Sequence, residues 1–114
     1  MNKYKAKRTT VDGITFASQG EARRYQELKL LERAGAISYL ERQQRYPLAV
    51  NGQAICDYVA DFVYFDPVRQ KWIVEDFKGV RTPEYRLKAK LMRACHGITI
   101  LETGGQKKSP RRAA

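Results

Sequence analysis

The 114-residue sequence predicts a single-domain α/β fold in the element order αβββαβ, a central mixed sheet flanked by helices. Two segments carry apolar residues at helical spacing between recognisable cap residues. Three β-prone runs joined by turn sequences lie between those segments, and a last apolar run follows the second one. The length suits one modest core and not two.

Before the first helix, Asp12-Gly13 stands between the β-prone residues Thr10-Val11 and Ile14-Thr15-Phe16, which predicts a small hairpin or loop. Helix one is expected over residues 19–34, with Ser18 as N-cap, Gly35 as terminator and Ala22, Tyr25, Leu28 and Leu31 on one stripe. Residues 37–50, with Leu40, Tyr46, Leu48 and Val50, read as a strand or pair of strand segments that turns at Asn51-Gly52. The next run is apolar or aromatic on both sides of Asp61, from Tyr58 to Phe65. Turn chemistry in Asp66-Pro67-Val68-Arg69-Gln70-Lys71 makes it an antiparallel neighbour of the strand that begins Trp72-Ile73-Val74. Thr82, Pro83 and Glu84 supply N-cap, first-turn proline and early acid for helix two, Gly97 closes it, and Ile98-Thr99-Ile100-Leu101 forms the final strand. Residues 1–9 are a basic arm, 10–102 the folded domain and 103–114 a basic tail. The two ends are expected to fray in solution, and either to order against phosphates or to act only as solubilising tails.

The charge-bearing residues of the two central strands point to chemistry. Asp76 and Lys78 are two apart, so they share one face of a strand that is apolar enough to be buried. Burying an acid and an amine there is costly unless they pair or bind a cation. A lone D-x-K is usually an exposed ion pair, but Asp61 lies among apolar neighbours and can meet Asp76 across the antiparallel ladder. Two carboxylates and a lysine suit Mg²⁺-assisted phosphodiester hydrolysis: the acids hold the ion, and Lys78 positions or deprotonates the attacking water or stabilises charge at phosphorus.

Glu21 has two readings. Ser18-Gln19-Gly20-Glu21 is a capping box, in which the glutamate returns to the N-cap amide. Glu21 also shares a stripe with Tyr25 and Leu28, which turns its carboxylate inward as a third acid for the metal, directly or through water. Glu75 is expected on the face opposite Asp76, in a structural or surface role. Gln43 and Gln44 are polar strand positions that can bring an amide near the site.

The sequence holds 22 Lys and Arg against 12 Asp and Glu, a net charge of +10, which suits a polyanionic partner without proving one. On helix two, Arg86, Lys90 and Arg93 fall at i, i+4 and i+7 with Lys88 nearby, opposite a packing stripe of Tyr85, Ala89, Met92 and Cys95. With Arg81 just before the helix, these five basic residues are the candidate DNA contacts, against the plainer reading of a solvated face. Cys56, Cys95 and the single histidine, His96, lack zinc-ligand spacing. No apolar run approaches the ~20 residues of a membrane span, and the first residues lack a signal-peptide core, so a soluble cytoplasmic protein is expected.

Glu21, Asp61 and Asp76-Phe77-Lys78-Gly79 in this element order resemble the PD-(D/E)XK nuclease superfamily, the fold of restriction endonucleases and junction-resolving enzymes. Phe16-Ala17-Ser18-Gln19-Gly20-Glu21, Tyr58-Val59-Ala60-Asp61-Phe62 and Val74-Glu75-Asp76-Phe77-Lys78-Gly79, followed by Thr82-Pro83, are similar to a family of small phage and prophage proteins long described only as a domain of unknown function. The resemblance implies an endodeoxyribonuclease dependent on Mg²⁺, with Mn²⁺ able to substitute, acting in phage DNA recombination, replication or packaging. It implies Asp61, Asp76 and Glu21 at the metal, Lys78 as catalytic lysine, and Holliday junction resolution by a homodimer. The superfamily's proline before the first acid is replaced by Ala60, which removes no ligand. Tyr39, Leu40, Tyr46 and Trp72 are either interface or core. The rival readings are a non-catalytic DNA- or RNA-binding protein that keeps this fold and a basic structural protein whose acids are incidental.

Overall fold

A computed structural model describes residues 7–78 and 81–104 of the chain. The expected order is present: β1 (Thr9–Val11), β2 (Ile14–Phe16), α1 (Gln19–Arg33), β3 (Ser38–Val50), β4 (Gln53–Asp66), β5 (Lys71–Phe77), α2 (Pro83–His96) and β6 (Leu101–Thr103). The first six residues of the arm, residues 105–114 of the tail, and Gly79 with Val80 of the motif run lie outside the described residues.

β3 to β6 form one mixed sheet in that spatial order, antiparallel from β3 to β5 and parallel between β5 and β6. β1 and β2 pair as the separate hairpin expected from Asp12-Gly13. The β3–β4 hairpin turns on Asn51 at φ 49° and Gly52 at φ 81°, the left-handed pair a two-residue loop needs to match strand twist.

The helices start and stop where their caps stand. Ser18 Oγ accepts from Glu21 N at 3.1 Å, and α1 ends in a bond from Ala36 N to Leu31 O that satisfies a last-turn carbonyl. Thr82 Oγ1 accepts from Tyr85 N at 3.1 Å, and α2 closes at Gly97 at φ 68°.

Each helix covers one face of the sheet. Ala22, Tyr25 and Leu28 of α1 bury Phe62 and Tyr64 together with Phe16 and Ile37. Tyr85 and Met92 of α2 bury Leu48, Tyr58, Ala60, Val63 and Val74. Full burial of side chains such as Phe62 or Met92 contributes roughly 1.5–3 kcal/mol each. Ala89 and Cys95 complete the α2 stripe from partly buried positions, and Cys56 and Cys95 are free thiols.

Two expectations are corrected and one open choice is resolved. Leu31 is 39% exposed, because the core stripe of α1 stops one turn earlier, at Leu28. The last strand is Leu101–Thr103 and not residues 98–101: β5 pairs there only through Glu75, Asp76 and Phe77, while Ile98 and Ile100 pack on the α2-side core outside the sheet. Of the four residues left between interface and core, Tyr39 and Trp72 are exposed, whereas Leu40 and Tyr46 pack against the two cores. No described helix is long and apolar enough to cross a membrane.

Candidate active site

The β4–β5 ladder runs from Asp66 and Lys71 to the Phe62–Glu75 pair and ends there. The next residues along the two strands are Asp61 and Asp76. In place of a further backbone rung, Asp61 Oδ2 accepts from Phe77 N at 2.8 Å. The strand alternation also slips at this level, since Ala60 belongs to the α2-side core and Phe62, two residues on, to the α1-side core. On β3, Gln43 has φ 52°, a left-handed conformation that is costly for a residue with a side chain, and its Nε2 lies 3.4 Å from Asp61 Oδ1. Backbone irregularity of this kind bends a strand and re-aims its side chains.

Asp76 is 3% exposed. Its Oδ2 accepts from the Tyr58 hydroxyl at 2.5 Å, and its Oδ1 lies 3.7 Å from Lys78 Nζ. Burial, then the neighbouring Asp61 carboxylate, push Asp76 up to about 7, against the opposing pull of the Tyr58 hydrogen bond and of Lys78. Burial and the same hydrogen bond raise Tyr58 far above the usual tyrosine range, which keeps it a donor. The Lys78 ammonium sits 4.4 Å from the Tyr85 ring centre, so the ring face holds it over the site. The Tyr85 hydroxyl donates to Glu102 Oε2 at 2.7 Å.

Glu21 reaches this group from the first turn of α1. Ser18 caps the helix through Glu21 N, but among the described residues no return bond joins the Glu21 carboxylate to the Ser18 amide, so only half of the capping box forms. Burial and then the Asp61 charge raise Glu21 to about 6, while Arg42 and Lys78 pull it down. That pattern puts its carboxylate within electrostatic reach of Asp61 and Lys78. Among the described residues no three acid, histidine or cysteine side chains are close enough to form a metal-holding group. The expected trio therefore resolves into a close pair, Asp61 and Asp76, with Glu21 further out.

The relation of α1 to β5 is fixed from the opposite face. Glu75 is fully buried and accepts from Arg24 Nε at 2.6 Å and Arg24 Nη2 at 2.9 Å. It also accepts from the Tyr64 hydroxyl at 2.7 Å and Thr103 Oγ1 at 2.9 Å. This carboxylate ties α1, β4, β5 and β6 together and has the structural role expected of it. Arg24 is one turn from Glu21, and Glu75 precedes Asp76, so one buried pair sets the distance between two acid-bearing elements. Phe77 adds a second constraint. A Cβ on Gly20 would lie 2.6 Å from Phe77 Cζ, and one on Gly104 would crowd the same ring still more. The ring thus fills a gap that only glycine leaves on both sides.

A cleft of about 380 Å³ opens over the acids and is lined by Tyr58, Asp61, Asp76, Lys78, Thr82 and Lys88, among others. Lys88 belongs here, paired to Glu84 at 3.3 Å. Arg81, Arg86, Lys90 and Arg93 line a different depression of about 290 Å³, so the structure divides the five candidate DNA contacts between two surfaces. Gln44 hydrogen-bonds a backbone carbonyl on its own strand, Arg42 O at 3.4 Å, and joins no acid.

Several contributors were missed in the sequence. Tyr58 and Tyr85 read there as core aromatics, and their hydroxyls carried no local signal. Arg24 left none either, since Arg23 stands beside the same apolar stripe of α1 and is exposed. Arg42 Nε is the one buried side-chain nitrogen or oxygen without a hydrogen bond among the described residues, and its guanidinium lies 4.7 Å from the centre of the Phe16 ring.

The donor set suits a hard divalent cation. Its pair of neighbouring carboxylates is all oxygen, and the ionised form of Asp76, disfavoured first by burial and then by Asp61, is the form that a bound cation would stabilise. No curated protein and no solved structure matches the chain. A family profile described as "Protein of unknown function (DUF1064)" matches residues 1–100, most of the sequence. The chain belongs to the DUF1064 family.

Proposed function

We propose that this protein is a metal-dependent endodeoxyribonuclease of the PD-(D/E)XK type, with Asp61 and Asp76 as Mg²⁺ ligands, Lys78 as catalytic lysine and Glu21 as an outer acid. The observation that carries the reading is the placement of two carboxylates and a lysine where β4 and β5 part, with Asp76 almost fully buried beside Asp61. A protein that only binds DNA has no use for buried acids that repel phosphate. Two acids alone would make a cation cage, and the lysine adds a positive group beside the ion. Mn²⁺ can take the place of Mg²⁺ in an all-oxygen set.

When bound, Mg²⁺ supplies Lewis-acid polarisation of a phosphoryl oxygen and offsets its charge. Asp61 is held in place by Phe77 N and Gln43, and Asp76 by Tyr58, so neither carboxylate reorients on binding. Lys78, steadied over the Tyr85 ring, orients the attacking water or stabilises the negative charge that develops on phosphorus. Glu21, with its raised affinity for a proton, can accept one from that water or relay it. Thr82 and Lys88 line the mouth of the same cleft and contact the flanking phosphates.

A chain with one such site makes one nick, so paired cutting of a branched substrate such as a Holliday junction needs two copies. The exposed Tyr39 and Trp72, with ring centres 6.0 Å apart, provide apolar surface for that contact. The work this activity suits is phage DNA recombination, replication or packaging in the host cytoplasm. The test is incubation of labelled four-way junction, flap, duplex and single-stranded DNA with the protein in Mg²⁺, in Mn²⁺ and in EDTA. Cutting in either metal and not in EDTA is expected, with branched DNA preferred. Metal-independent binding without cutting would replace this reading with that of an architectural DNA- or RNA-binding protein.

A further inference from the structure

Arg81, Arg86, Lys90 and Arg93 line one depression, Asp61 and Asp76 line another, and Tyr85 lines both. Glu102 is the single acid in it, and that carboxylate is already committed, accepting from the Tyr85 hydroxyl at 2.7 Å and facing Arg81 Nε at 3.4 Å. Among the described residues Arg86, Lys90 and Arg93 form no ion pair, as is also true of Arg23, Arg33, Arg42 and Lys71, whereas Arg24, Lys29, Arg45, Arg69 and Lys88 do; what sets the three apart is that they line one depression. Three like charges at i, i+4 and i+7 of one helix repel one another, so leaving them uncompensated lowers the stability of α2 unless an anion sits among them. From Arg86 to Arg93 a helix rises about 10 Å, so the charges form a row and do not converge on one point. A row of cations matches a polymer of phosphates better than a single small anion.

We propose that this depression is a second phosphate-binding site, which takes the nucleic-acid backbone at a position beyond the cleft of Asp61 and Asp76. The inference rests on the DNA reading above and adds to it that contact is bipartite, with Tyr85 as the partition. Lys88 serves the cleft. Arg86, Lys90 and Arg93 serve the outer site, and Arg81 stands at its rim, oriented by Glu102. Such a contact fixes the register of the strand without reading bases.

The test measures the salt dependence of binding to a labelled duplex in EDTA, by fluorescence anisotropy from about 50 to 200 mM salt. Lys90→Ala/Arg93→Ala is compared with a charge-matched control on α1, Arg23→Ala/Arg33→Ala, both exposed residues on another element. Loss of two phosphate contacts lowers the log–log slope by about 1.8 on duplex, at about 0.9 each. The control is expected to lower it by much less. Arg86→Gln alone, expected to cost about 0.9 in slope, keeps the test open should the double variant misfold. Sodium phosphate and a phosphorylated mononucleotide serve as competitors, and displacement of duplex by either at low millimolar levels, lost in the α2 variant, would mark a small-anion site and overturn the polymer assignment. Equal slopes for the two doubles would reduce the contact to overall charge and also overturn it. Because no cleavage is measured, the outer site stands or falls apart from the nuclease: a wild type that never cuts but shows the slope difference sinks only the catalytic reading.

Discussion

Replacing Asp76 with asparagine is expected to stabilise the metal-free protein while removing its activity. The carboxyl is raised from 3.8 to about 7 by burial and by Asp61, so folding disfavours its ionised form. With the folded value above the unfolded one, the contribution to stability is full below pH 3.8 and is lost as pH rises through about 7. A displacement of that size corresponds to about 4 kcal/mol of stability missing from the wild type at pH 8. Asparagine cannot ionise, and its carbonyl can still accept from Tyr58, so most of that loss should be recovered: about 2–4 kcal/mol, or about 8–16 °C in Tm for a domain of this size. Thermal unfolding followed by circular dichroism in EDTA at pH 5 and pH 8 measures it. The gap in Tm should be present but small at pH 5, where about 2 of the roughly 4 kcal/mol is already lost, and should widen to its full size at pH 8; Mg²⁺ should raise the wild-type Tm but leave that of Asp76→Asn unchanged. If Asp76→Asn melts no higher than wild type at pH 8, the carboxylate is not strained by its setting and the case for a cation there fails.

Tyr58→Phe removes the hydrogen bond that opposes the upward shift of Asp76, so the pH at which Mg²⁺-dependent activity reaches half its maximum should move up, read from a pH–rate profile. Gly20→Ala forces the Phe77 ring aside and is expected to cost about 1–3 kcal/mol through overpacking, with a larger loss of activity than of DNA binding. Gly20→Ala/Phe77→Leu should recover part of both losses, and strict additivity of the two changes in urea unfolding would refute the clamp. Glu75→Ala strands Arg24 and should cost about 3–5 kcal/mol in the same unfolding assay.

The element order was legible because caps and turns are local. Ser18, Asn51-Gly52, Thr82-Pro83 and Gly97 each act within a few residues of themselves, and each marks a boundary in the structure. The acids and the lysine were legible for a related reason: charge in an apolar strand is costly enough to signal a purpose, and alternation put Asp76 and Lys78 on one face. What depended on distant partners was not legible. The position of β6 follows from which part of β5 remains free to pair, so the β-branched residues 98–100 misled while Leu101–Thr103 paired. Leu31 carries the right spacing, yet among the described residues no element covers it. The five basic residues looked like one surface because sequence cannot show that Tyr85 stands between them. The Glu75–Arg24 pair spans 51 residues, and Phe77 meets Gly20 and Gly104 from opposite directions in the chain, so no local pattern records either contact.

Single-turnover cleavage of a labelled four-way junction in Mg²⁺, by wild type, Asp61→Asn, Asp76→Asn and Lys78→Ala, with DNA binding measured on the same samples, tests the central claim most directly. Cleavage by wild type, and its loss in all three variants with binding retained, is the result that follows from acids and a lysine acting on one phosphate. Cleavage that persists in Asp76→Asn or Lys78→Ala would contradict it.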